Sequence, residues 1–140
     1  MAQIHALLMV SEKPLSTDDV MEALAISRGN ANTNLRSLAD WGLVRRVFVK
    51  GDRKEYFQSE KDVWNMFCRI ARERKKREIE PAVETLRECL DMTRGEKNAG
   101  VFRDRVQELL ELMQTLDFAL GKIAQQERSQ VVPKIMKLLR

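Results

Sequence analysis

The sequence predicts a mainly α-helical protein with one small β-hairpin. Three observations carry this expectation. Apolar residues recur at helical spacing behind capping residues over most of the chain. One run of strand formers, Val44 to Phe57, is interrupted by the turn signal KGDR. A seam of alternating three- and four-residue steps, Val106, Leu109, Met113, Leu116, Leu120 and Ile123, marks a long C-terminal helix. Aromatic residues make up only 6% of the chain, which also disfavours a strand-rich fold.

Taken in order, residues 2–11 (AQIHALLMVS) put Ile4, Leu7 and Leu8 on one helical face, and Pro14 ends that helix. Ser16 is placed to cap a second helix. Asp18 and Asp19 suit its positive end, and Val20, Ala23 and Leu24 face inward. The tripeptide AIS makes a tight connector. Ser27 then caps a third helix over roughly residues 28–41, and Gly42 stands where a terminating glycine belongs. Two short helices joined by such a turn make a helix-turn-helix. The run LVRRVFVKGDRKEYFQ reads as a β-hairpin with Lys50, Arg53 and Lys54 at its tip. A helix-turn-helix followed directly by a basic hairpin is the pattern of a winged helix.

Beyond residue 60 nearly everything reads as helix. Val63, Met66, Phe67, Ile70 and Ala71 give one apolar stripe, and a basic run spans Arg72 to Arg77. Pro81 must start a new helix or kink this one. TRGEKNAG reads as a loop. The seam helix follows over about residues 101–126, with Leu110, Leu112 and Phe118 widening its apolar face. A short final helix, VVPKIMKLLR, closes the chain. The expected division is a winged helix-turn-helix domain over residues 1–60 and a helical dimerisation and effector region over residues 61–140. The seam is the expected dimer contact.

At 140 residues, 44% hydrophobic and 33% charged, the chain is long enough for a small cored domain with a helical appendage. Its net charge of +4 is less informative than where the charge lies. Residues 1–27 set Lys13 against Glu12, Asp18, Asp19 and Glu22, a net of −3. Residues 28–54 set Arg28, Arg36, Arg45, Arg46, Lys50, Arg53 and Lys54 against Asp40 and Asp52, a net of +5. Such a segment points to an anionic partner.

Cys68 and Cys89 lie 21 positions apart and the single histidine, His5, is remote, so no zinc-type ligand spacing exists. No metal and no cofactor are expected. Both cysteines read as reduced, buried small hydrophobes, which suits a reducing compartment. No apolar run is long enough to span a membrane, and a cytoplasmic location is expected. With no nucleophile–base pair and no phosphate loop, an enzyme is not expected. Trp41, Phe48, Tyr56, Phe57, Trp64 and Phe67 either close a small core or form an aromatic cage for a cation.

At about 100° per residue, the third helix turns Ala31, Leu35 and Leu38 to the core. The opposite side presents Gly29, Asn30, Thr33, Arg36, Ser37 and Asp40, with Asn32 and Asn34 on the flanks. Arg28 and Asn30 lie in the first turn, the part of a recognition helix that reaches base edges. Arg pairs bidentately with guanine and Asn with adenine. Gly29 leaves room for close approach, and Ser27 at the helix start suits a phosphate. Lys50, Arg53 and Lys54 suit backbone or minor-groove contact. The expected DNA-binding set is Ser27, Arg28, Gly29, Asn30, Asn32, Thr33, Asn34, Arg36, Ser37, Lys50, Arg53 and Lys54. A plainer reading of the same residues is a capped helix and a solvated hairpin tip.

The stretch EKPLSTDDVMEALAISRGNANTNLRSLADWGLVRRVFVKGDRKEYF resembles the winged-helix domain of the GbsR branch of the MarR-like transcriptional regulators. The resemblance covers about residues 2–80, and ALAISRGN…NLRSL…WGLVRRV…KGDRKEYF is its specific part. It implies a dimeric winged helix-turn-helix DNA-binding regulator, typically a repressor. Ser27 to Ser37 would be the recognition segment and Val49 to Glu55 the wing. Members of this branch usually carry a further helix ahead of the one that opens this chain. Some control genes for osmoprotectant uptake or synthesis and respond to small quaternary-ammonium compounds.

Two readings compete. The first is a homodimeric repressor that sets two recognition helices on a pseudo-palindromic operator in double-stranded DNA, with half-sites about one helical turn apart. A small-molecule effector of unknown identity would act through the helical region. The second is a winged-helix protein-interaction module that uses the seam helix as its partner surface. Steep salt dependence of binding marks the first.

Overall fold

The computed structural model describes residues 1–96, 98–127 and 129. The chain divides into two compact units, Met1–Arg69 and Ile70–Arg140. The first holds α1 (Ala2–Val10), β1 (Leu15–Ser16), α2 (Thr17–Leu24), α3 (Arg28–Asp40), β2 (Val44–Phe48), β3 (Glu55–Ser59) and the start of α4 (Val63–Arg74). It is a winged helix.

Local chemistry sets each boundary. Ser16 caps α2 reciprocally: its hydroxyl accepts the Asp19 N–H at 3.3 Å, and its own N–H donates to the Asp19 carboxylate at 2.7 Å. Ala25 ends α2 in the left-handed region, with φ 51°, and the Ile26 N–H returns to the Met21 carbonyl at 3.2 Å. That turn frees Ser27 to cap α3, where its hydroxyl accepts the Asn30 N–H at 3.3 Å. Gly42, with φ +69°, ends the helix, and the Leu43 N–H reaches back to the Leu38 carbonyl at 2.9 Å. A Cβ in that conformation costs about 1–2 kcal/mol.

The core of this unit joins Ile4 and Leu8 of α1, Val20 of α2, Ala31, Leu35 and Leu38 of α3, Leu43, Val44 and Phe57 from the sheet side, and Cys68 of α4. Burying one large aliphatic side chain contributes roughly 1.5–3 kcal/mol. Leu35 is fully enclosed, so Leu35→Ala would cost about 2–5 kcal/mol.

The sheet has three strands in the order β1-β3-β2, not the two of a simple hairpin. β1 pairs antiparallel with β3 through Leu15↔Phe57 and Ser16↔Tyr56. A two-residue strand beside Pro14 has no alternation to read, so the sequence shows only a helix break there. β2 and β3 pair from Val44↔Ser59 to Phe48↔Glu55. The wing tip is therefore residues 49–54, because Glu55 already belongs to the ladder.

Asp62 starts α4 by accepting the Asn65 N–H at 2.8 Å. The helix turns Cys68 inward with Trp64 half-buried one turn before it. Val63 and Phe67, expected on the inner stripe, are exposed instead. The six aromatic residues do not enclose one space, since Phe57 lies in the core while Phe48, 83% exposed, points away at the end of β2.

In the second unit, α4 passes through a π-helical turn (Lys75–Ile79) into α5 (Glu80–Met92), and α6 (Gly100–Ala124) packs on α5. Pro81 falls in the first turn of α5, and because the helix runs into it from the π turn its missing N–H leaves one helical bond unmade. The chain stays helical through it because the wider turn, closed by the Glu80 N–H to the Lys75 carbonyl, takes up an extra residue. Lys75 Nζ donates to Glu80 at 2.7 Å and to Asp117 at 2.5 Å, joining the π turn to α5 and α6. These partners raise its pKa above the ordinary value, Asp117 most. Arg103 ties the start of α6 to the end of α5 through the Leu90 carbonyl at 2.5 Å and the Thr93 hydroxyl at 3.0 Å.

Val83, Leu110 and Ala124 are buried in this unit. Of the expected seam, Val106, Met113, Leu120 and Ile123 are half-buried. Leu109 at 42% and Leu116 at 39% are exposed, together with Leu112 at 54%. The expected final helix, VVPKIMKLLR, lies outside the described residues. Among the described residues no helix is long and apolar enough to cross a membrane, and no cluster of His, Cys, Asp or Glu could hold a metal ion. Cys68 is buried and Cys89 half-buried, and neither forms a disulfide.

Candidate nucleic-acid interface

The inner stripe of α3 fixes what its other side can offer. With Ala31, Leu35 and Leu38 buried, Ser27, Arg28, Gly29, Asn30, Asn32, Thr33 and Arg36 are exposed, and Asn34 and Ser37 are half-exposed. At Gly29 an added Cβ would meet, among the described residues, nothing within 4 Å beyond its chain neighbours and the backbone of its own helix, so the helix surface is open there.

Several of these side chains are already engaged. Arg28 Nη2 donates to Asp18 Oδ1 of α2 at 2.6 Å. Lys54 of the wing meets the other oxygen of Asp18 at 3.4 Å. The hydrogen bond from Arg28, then that from Lys54, holds the Asp18 carboxyl below its ordinary pKa. Asn32 accepts from the Thr17 hydroxyl at 3.4 Å. Asn34 Nδ2 donates to the backbone carbonyl of Asn30 at 2.9 Å and to its Oδ1 at 2.6 Å. The Ser37 hydroxyl donates back to the Thr33 carbonyl at 3.1 Å. The alternate asparagines thus have three different surroundings.

The wing is built around Asp52. Its carboxylate accepts the Lys54 N–H at 2.9 Å and the Tyr56 hydroxyl at 2.8 Å, while its own N–H closes the turn on the Val49 carbonyl at 3.1 Å. The backbone bond from Lys54, then the Tyr56 hydroxyl, lowers the Asp52 pKa, and the same hydroxyl bond raises that of Tyr56. Along the strands Arg45 donates to Gln58 at 2.8 Å and Arg46 pairs with Glu55 at 3.1 Å. Among the described residues, Arg36, Lys50 and Arg53 form no ion pair and remain available to an outside anion.

The basic run Arg72–Arg77 is a different case. Arg74 pairs with Glu78 at 2.8 Å, Arg77 with Glu73 at 2.8 Å, and Arg72 with Glu127 at 2.6 Å. Its charge is largely met within the helical unit, so it offers no second anion surface. His5 is half-buried in α1, its Nε2 has no hydrogen-bond partner among the described residues, and burial lowers its pKa.

Sequence reasoning did not single out Asp18, Thr17 or Asp52 as part of this surface. Asp18 read only as a helix-dipole residue, because its link to Arg28 and Lys54 depends on the fold. Asp52 had a local signal: an Asp two residues before the N–H that it accepts, in a Gly-containing turn.

Residues 1–55 match the MarR family. Over 52 residues the chain is 38% identical to HTH-type transcriptional regulator MmpR5 of Mycobacterium tuberculosis, covering 37% of this chain and 32% of that protein. Over 81 residues it is 27% identical to HTH-type transcriptional repressor GbsR of Bacillus subtilis, covering 58% of this chain and 45% of that protein. The chain therefore spans less than half the length of either relative. A crystal structure described as a transcriptional regulator shares the fold, with a TM-score of 0.66 at 20% identity over 91% of this chain and 84% of the other.

Proposed function

We propose, on the premise that residues 1–55 form a MarR-family domain, that this chain is a sequence-specific DNA-binding transcriptional regulator acting as a homodimeric repressor. The observation that supports this best is the meeting of Arg28 and Lys54 on Asp18. It sets the first turn of α3 and the wing tip on one surface, as a reader of duplex DNA requires. In this reading α3 enters the major groove with Arg28, Asn30 and Thr33 nearest the base edges. Lys50, Arg53 and Lys54 follow the backbone beside it, and Ser27, Gly29, Asn32, Asn34, Arg36 and Ser37 complete the contact.

The few cations of one copy would bind weakly, so two copies on a pseudo-palindromic operator are needed. Residues 61–140 supply the dimer contact. The exposed row Leu109, Leu112 and Leu116 on α6 supports this, with Val106, Met113, Leu120 and Ile123 half-buried beside it. A small-molecule effector would act by changing the packing of the helical region and so the spacing of the two α3 helices. The working compartment is the cytoplasm, and no enzymatic step is involved.

The test is binding to genomic DNA fragments over a salt series. Affinity should fall by about 0.9 log unit per phosphate contact for each log unit of salt. Lys54→Ala should weaken all sequences alike, while Arg28→Ala should relax preference at one base pair by about 1–3 kcal/mol. A folded dimer that binds no fragment at low salt would return the winged helix to a protein-interaction role.

A further inference from the structure

Asn30 and Asn34 stand one turn apart on the outer side of α3, and their contact has a definite polarity. A backbone carbonyl only accepts, so the Asn34 atom 2.9 Å from the Asn30 carbonyl is its amino group. The Asn30 side-chain atom 2.6 Å from that same nitrogen must then be the carbonyl oxygen. The Asn30 amide is thereby oriented, its oxygen turned along the helix to Asn34 and its amino group turned away.

Resting on the reading of α3 as the recognition helix, we propose that Asn34 is a positioning residue that makes Asn30 a donor-only reader selective for guanine. An unconstrained asparagine offers a donor and an acceptor side by side and pairs with adenine through N7 and N6. With its oxygen held by Asn34, Asn30 offers its amino group. Guanine meets that group with two adjacent acceptors, N7 and O6. Adenine offers it one acceptor, N7, beside a competing amino group, cytosine only an amino group, and thymine the single O4 beside its methyl, so guanine alone presents two adjacent acceptors. The two asparagines therefore divide the work: one touches the base, and the other decides which base it can be.

The experiment is selection of bound duplexes from a random library by the full chain and its variants. The wild type should favour guanine roughly tenfold over adenine at the base pair that Asn30→Ala relaxes. Asn34→Ala should relax the same base pair, and should add nothing in an Asn30→Ala background. Asn34→Asp cannot donate, so it draws the Asn30 amino group inward and turns the oxygen out. The preference should then move to adenine or cytosine, even though the new charge weakens binding to every sequence. Adenine at the Asn30-dependent position in the wild type, or a profile that Asn34 variants leave unchanged, overturns the proposal. A wild-type chain that enriches no sequence at all overturns the recognition-helix reading beneath it.

Discussion

Arg28 and Lys54, distant in sequence and on different elements, share the two oxygens of Asp18 at 2.6 Å and 3.4 Å. In the free protein an internal carboxylate thus holds two cations that the proposed function assigns to DNA. Asp18→Asn removes that competitor. Affinity should rise for every duplex through Lys54 and further for those carrying the base that Arg28 reads, and the slope of log K against log salt should steepen by up to about 0.9 for the phosphate that Lys54 meets. An unchanged slope would show that Lys54 meets no further phosphate.

The wing anchor should tolerate a wide pH range. Asp52 has a lowered pKa, so its contribution is complete above the ordinary 3.8 and is lost only as pH falls through the lowered value. Tyr56 has a raised pKa, so its contribution is complete below the ordinary 10.0 and is lost as pH rises through the raised value. The bond between them persists across the window between those limits. Tyr56 is the chain's only tyrosine, so phenolate absorbance reports it alone. Its titration should lie above that of free tyrosine and return toward it in Asp52→Asn; identical curves would rule the bond out.

Two turn positions should respond in opposite ways. Ala25 is a left-handed alanine, so Ala25→Gly relieves a steric cost that the added freedom of the unfolded chain partly offsets. A gain of up to about 1 kcal/mol is expected. Gly42→Ala places a Cβ in the same conformation and should lose about 1–2 kcal/mol. Urea midpoints read both, and a lower midpoint for Ala25→Gly would contradict the account.

For the helical unit, Leu109→Glu combined with Leu116→Glu should leave the α5–α6 packing in place, because both side chains are already exposed. Helical circular dichroism should be kept while sedimentation shifts from dimer to monomer and DNA affinity falls with it. A double variant that still sediments as a dimer would place the contact elsewhere.

Much of this architecture was legible in the chain. Ser16, Ser27 and Gly42 mark helix ends by local chemistry, and Ala31, Leu35 and Leu38 repeat at the helical period. What escaped has physical reasons. β1 is too short for any period to show. The inner stripe of α4 falls on Cys68 rather than Phe67, a one-residue shift in phase that a run rich in apolar residues does not resolve. The role of Asp18 and the polarity of the Asn30–Asn34 pair depend on neighbours that only the folded chain supplies.

β3 occupies the middle of the sheet, and at one of its edges Ser16 both pairs with Tyr56 and caps α2. The returning strand of the wing is therefore clamped along both sides, and bending is left to the tip between Phe48 and Glu55. A prong held at its root is stiff. On a groove that is too wide or too narrow, the duplex rather than the protein has to deform. Sequences that bend cheaply would gain preference at positions that no side chain touches.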